Sequence, residues 1–201
     1  MSQSCVPLDA DRIGMLREHP RLQKFMQGDI EWSEGLGLPI NATHLAEEAI
    51  FVICNSGMKN TVARRIYDKV MVALNRGYRA GTVFGHKGKA NAITEIWAHR
   101  EYLYRDFLTR NAPEQQIEWC ASLPWVGNIT KYHLAKNLGV DCAKPDVHLQ
   151  RLADLHVETV DALCQRLAQA TGYRVATVDL ILWRACAEGV INSRTGMLAD
   201  V

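Results

Sequence analysis

Apolar positions recur along this chain at spacings of three and four residues, with polar residues filling the positions between. Residues 44–56, HLAEEAIFVICNS, put Leu45, Ala49, Ile50, Val52 and Ile53 on one buried face. That helix begins near Thr43 and Gly57 ends it. Residues 60–75 are amphipathic, with Val62, Ile66, Val70 and Leu74 on one stripe, Arg64, Arg65 and Lys69 facing outward, and Gly77 as the stop. The same period predicts one or two helices over 8–27, broken near Pro20, and one or two over 90–110. It predicts further helices over 147–155, 158–170 and 176–187, with Gly139, Gly172 and Gly189 as C-terminal stops. Residues 31–42, EWSEGLGLPINA, are rich in Gly and Pro and read as a loop or lobe boundary; residues 81–89, GTVFGHKGK, read as a loop. No segment sustains period-two alternation and no internal repeat is present. The pattern predicts an all-α protein.

One stretch, 123–152, carries the chemistry. Pro113 opens a helix through EQQIEWCASL, LPWVG turns sharply, and NITKYHLAKNL runs on to Gly139. Gly127 lets the backbone of this hairpin approach another molecule closely, and the free N–H groups at the start of the next helix suit a phosphodiester. Pro145 then starts another helix with Asp146 in its first turn, where the helix dipole favours a carboxylate. Plain capping is the competing reading for an Asp at a helix start. A phosphate cradle followed at short range by a carboxylate suggests chemistry on nucleic acid.

These residues resemble the signature of the helix-hairpin-helix DNA glycosylases, the endonuclease III superfamily. LPWVG is followed by NIT, and Asp146 of KPDVHLQRL lies 17 residues beyond Ile129, within a D-x-H-x-x-R pattern. Weaker similarity reaches upstream to about Ala46, so about half the chain is covered. The resemblance implies two helical lobes with a DNA-binding cleft between them: residues 41–139, ending in the hairpin, and residues 1–40 joined to 140–201. It implies that the hairpin, with Trp125, Gly127, Ile129 and Lys131, grips the DNA backbone and that Asp146 is catalytic. The NSGMK loop, 55–59, with Met58 and Lys59, resembles the segment that fills the space left by an extruded base. The GHKGKA loop, 85–90, with His86, Lys87 and Lys89, resembles the one that probes the opposite base; by composition alone each is also an ordinary turn.

Position 129 sets the subclass. Bifunctional relatives carry a lysine there that attacks C1′; Ile129 can only pack, so the resemblance implies water as nucleophile and an intact abasic product. Lys131 lies about 200° round the helix from position 129 and reads as a phosphate-facing or solvent lysine. His148 reads as a residue hydrogen-bonding between lobes and Arg151 as the partner of a carboxylate. Trp125 suits either the DNA sugar backbone or packing under the hairpin. Trp32, Trp97, Trp119 and Trp183 read as core.

Composition changes the picture in two places. At 201 residues and 48% hydrophobic content the chain can bury a sizeable core. No apolar run spans a membrane and the N-terminus lacks a secretion signal, so a cytoplasmic, nucleoid or nuclear location is expected. Net charge is only +1, but residues 59–110 hold 11 basic and 4 acidic side chains, a local +7 expected of a protein that holds phosphates. Part of that block, residues 100–106, alternates in sign and also suits a solvated helix face. The six cysteines form no CxxC pair; only Cys164 and Cys186 follow Asp146, where many endonuclease III relatives place four closely spaced iron–sulfur ligands. No metal and no cofactor are expected.

The expected function is a monofunctional DNA glycosylase of base-excision repair, acting as a monomer on double-stranded DNA with a damaged or mismatched base. The alternatives are a non-catalytic helix-hairpin-helix DNA-binding protein, a bifunctional glycosylase/lyase using another lysine, and an α-helical interaction protein without a nucleic-acid role.

Overall fold

The computed structural model describes residues 7–199. Among them run eleven α-helices: α1 (Ala10–Glu18), α2 (Gln23–Glu34), α3 (Ala42–Asn55), α4 (Asn60–Asn75), α5 (Lys87–Ala98), α6 (Arg100–Leu108), α7 (Pro113–Ser122), α8 (Thr130–Asn137), α9 (Val147–Leu155), α10 (Val160–Thr171) and α11 (Val175–Ala187), with a 3-10 turn at Ala80–Thr82. The fold is all-α. No helix among the described residues is long and apolar enough to cross a membrane.

The chain divides into two compact units, one from Met1–Leu36 with Asp141–Val201 and one from Gly37–Val140. In the first, α11 is the apolar axis, with Val178, Ile181, Leu182 and Ala185 fully buried. They pack in one core with Leu16 and Met26 of α1 and α2, Leu149 and Leu152 of α9, and Leu163 and Leu167 of α10. Burying each large side chain contributes roughly 1.5–3 kcal/mol before conformational entropy is charged against it. Polar ties fix α2 to α11: Arg184 donates to Asp29 at 2.8 Å, and the Thr177 and Ser33 hydroxyls share a buried hydrogen bond. The C-terminal residues fold back, with a single antiparallel bridge between Ile191 and Leu198.

The second unit is built round α3. Leu45, Ala46, Ala49, Ile50, Val52 and Ile53 are all fully buried, and α3 meets α4, α5, α6 and α8. Its start is capped by the Asn41 side chain, which accepts from the His44 N–H. Gly139 ends α8 at φ +83, and a Cβ there would collide with the Gly37 backbone. This close approach ties residues 37 and 38 to the end of the hairpin segment.

Three expectations are corrected. Helix α2 continues through Glu34, into the segment read as a loop from residue 31, and Gly35 forms its C-cap; Trp32, read as core, is 50% exposed on it. Helix α5 begins at Lys87 inside the segment read as a loop, because the His86 ring accepts from the Lys89 N–H and supplies a cap that sequence preferences do not favour.

Candidate nucleic-acid interface and carboxylate site

In the second unit the hairpin is a type II turn followed by an open helix start. The Val126 N–H donates to the Leu123 carbonyl at 3.2 Å, Pro124 holds the second position, and Trp125 takes the third at φ +68. Helix α8 follows with no side-chain cap. The N–H groups of Gly127, Asn128 and Ile129 have no acceptor among the described residues, and residues 127–129 are exposed. Three open donors at an uncapped helix start form a cradle for an anionic oxygen.

The 85–90 loop meets the hairpin. His86 and Trp125 rings stand edge to face with centroids 5.0 Å apart, and Gly88 lies under the indole. His86 and Lys87 are exposed. Lys89, expected among the phosphate contacts, is only 5% exposed and donates its ammonium to the Ser56 carbonyl. Burial lowers its pKa. Its charge is therefore spent on tying this loop to the 55–59 loop, where Met58 is half-buried and Lys59 is exposed at the start of α4. Lys131 is also engaged: its ammonium donates to Glu118 of α7, a hydrogen bond that raises its pKa. Ile129 presents a 46% exposed hydrocarbon at the motif position.

In the first unit Asp146 caps α9. Its Oδ1 accepts from the N–H groups of His148 at 2.9 Å and Leu149 at 3.2 Å. Oδ2 takes no part in the cap and stands 4.0 Å from Lys144 Nζ, with the Asp146 side chain 13% exposed. The cap therefore occupies one carboxylate oxygen and leaves the other outside it. His148, expected to bond between lobes, pairs instead with the Ser193 hydroxyl of its own unit at 3.1 Å. Arg151 makes no ion pair among the described residues. Both line a cavity of about 630 Å³ with Cys186, Asn192, Arg194 and Met197. Burial, and after it the Asp146 charge, pushes the Cys186 thiol up to about 12. Sequence reasoning missed Lys144 and the whole 189–199 wall, which lies beyond the motif.

Cys54, Cys120, Cys142, Cys164 and Cys186 are buried and form no disulfide among the described residues; Cys5 lies outside them. Cys164 and Cys186 are embedded in the core of the first unit, and two buried thiols do not fit the four-thiolate ligand set of an iron–sulfur cluster.

This arrangement of helices has a counterpart among solved structures. It is shared with the crystal structure of the 8-oxoguanine DNA glycosylase of Thermotoga maritima, at a TM-score of 0.62 and 18% identity over 87% of this chain and 93% of that one. No protein-family model and no curated protein matches the sequence.

Proposed function

We propose that this protein is a monofunctional DNA glycosylase that removes a damaged or mismatched base from duplex DNA by hydrolysing its N-glycosidic bond. The observation that carries the reading is Asp146 in this fold: one oxygen anchors the helix start and the other is left for chemistry. The open amides of Gly127, Asn128 and Ile129 hold a backbone phosphate, and Lys59 and Lys87 add charge to that grip. The nucleotide is extruded from the stack, at a cost of a few kcal/mol. The cavity lined by His148 and Arg151, on the helix that Asp146 caps, has a volume within the usual range for small-molecule sites, and its His148, Asn192 and Ser193 edges can read a base. As the bond to the base lengthens, C1′ becomes cationic; Asp146 Oδ2 stabilises that charge and orients the water that attacks it.

The hydrolytic subclass rests on two lysine observations. The motif position is Ile129, and Lys131 is held as an ammonium by Glu118, whereas a Schiff base needs a free amine. Duplexes each carrying one lesion should yield abasic sites whose strands break only after hot alkali. Borohydride added during turnover should trap no protein–DNA adduct. An adduct would overturn the hydrolytic mechanism, and mapping it would distinguish Lys131 from Lys144. No base release from any duplex would favour the non-catalytic DNA-binding reading.

A further inference from the structure

Residues 141–146 lead to Asp146 with no helix or strand to fix their path. Cys142 and Ala143 are nonetheless buried, so the polar groups of this backbone need partners inside the protein. Helix α11 meets the segment at two points. At its start Asp141 accepts from the Ala176 N–H at 2.9 Å, and two residues ahead of Asp146 the Lys144 N–H donates to Asp179 at 3.4 Å. Asp179 is 1% exposed, on a helix whose Val178, Ile181 and Leu182 are fully buried. A carboxyl group in that setting carries a desolvation cost that an apolar residue would avoid. Lys144 extends the connection to Asp146 in two ways. Its carbonyl accepts from the Asp146 N–H at 2.7 Å, and its ammonium stands 4.0 Å from Asp146 Oδ2. The helix cap fixes Oδ1 through the His148 and Leu149 amides, whereas Oδ2 faces Lys144.

We infer that Asp179 is a positioning residue: by holding Lys144 it fixes where Asp146 Oδ2 stands, without touching substrate itself. The inference rests on the glycosylase reading above, in which Oδ2 is the reacting oxygen. Alignment of that oxygen with C1′ and the attacking water controls the rate steeply, so a small shift of the 141–146 segment slows the reaction without loosening DNA. The role requires a hydrogen-bond acceptor at position 179, which asparagine also supplies.

The test combines single-turnover base release with amide hydrogen exchange of the full chain, using the lesion duplex from which wild type releases its base fastest. Asp179→Leu, which removes the acceptor, should lower the rate constant about ten- to a hundredfold. Affinity for the duplex should stay within about twofold, because phosphate contacts dominate it. Asp179→Asn should retain most of the rate. In an Asp146→Asn background Asp179→Leu should cost no more than about twofold, since the carboxylate it positions is gone; a general loss of structure would cost as much in either background. In wild type the Lys144 amide should exchange slowly, and Asp179→Leu should release that protection while the α10 amides keep theirs. Rapid exchange of the wild-type Lys144 amide overturns the positioning role even if the leucine variant does not fold. So does an equal loss in the two backgrounds, or a loss in Asp179→Asn as large as in Asp179→Leu. Absence of base release by wild type from every lesion duplex overturns the glycosylase reading, and the positioning role with it.

Discussion

At the scale of single residues, the observed cap role of Asp146 and its proposed catalytic role can be separated by substitution. Asparagine keeps an oxygen acceptor for the His148 and Leu149 amides and is as good a cap as aspartate. Asp146→Asn should therefore melt close to wild type while base release, measured as abasic sites in single turnover, falls by roughly two to four orders of magnitude. Asp146→Ala should lose the cap as well, at about 1 kcal/mol of stability. Near-normal base release by the asparagine variant would remove the carboxylate from the mechanism. The aspartate was legible in the sequence because the KPDVH run specifies it locally. The fate of the lysines was not: Lys89 finds its partner 33 residues away and Lys131 finds Glu118 at a separation of 13. Nothing near either lysine in the chain announces those pairings. Trp125 presents the same difficulty in reverse, because the notch that receives it is made by an absent side chain at Gly88.

At the scale of elements, strong helical periodicity located most helices, and α4 spans Asn60–Asn75 as expected, although of its apolar stripe Val70 and Leu74 are buried while Val62 is 47% exposed. Errors fell where a helix end depends on a tertiary or unusual cap, as at His86, or where Gly and Pro density obscured a helix, as in α2. Helix α3 also contains a polar group whose cost could not be read from its amphipathic pattern. Glu48 stands one turn from His44 and accepts from Asn137 of α8 at 2.8 Å. Burial raises its pKa, outweighing the Asn137 hydrogen bond and the attraction of His44 and Arg64, while Glu47 adds to the rise. A raised carboxyl pKa means that the fold favours the protonated form. Its contribution is fully present below the unfolded-state pKa and is lost as pH rises through the folded one, so at neutral pH the charge costs stability. Glu48→Gln keeps an acceptor for Asn137 and removes that cost. Its melting temperature should exceed wild type by about 1–2 °C at pH 7, and the advantage should vanish as pH falls through the carboxylate range. Scanning calorimetry at the two ends of that range is the check, and a variant less stable at pH 7 would mean that the His44 and Arg64 attractions outweigh burial.

At the scale of the whole molecule, a net charge of +1 conceals an uneven distribution. The unit Gly37–Val140, which carries the hairpin, has 13 basic and 8 acidic residues, a net of +5, whereas the other unit has 10 and 14, a net of −4. The linear sequence displayed this as a basic block at 59–110, but it could not say which cations are free to meet a phosphate. The structure sorts some of them. Arg100 is half-buried and stacked over Trp97, and Lys89 is committed to Ser56, while Lys59, Arg64 and Lys87 are exposed. Phosphate contacts by such cations release counterions, and each adds about −0.9 to the slope of log affinity against log salt. Binding of paired duplex should therefore weaken steeply between low and physiological salt. Lys87→Met should make the slope shallower by about 0.9, the loss of one phosphate contact. Lys89→Met should leave the slope unchanged even if it costs stability, because its ammonium serves a protein carbonyl. Anisotropy titrations at several salt concentrations measure all three slopes. If the Lys89 slope fell as far as the Lys87 slope, the buried lysine would be reaching DNA, and the loop would have to open on binding.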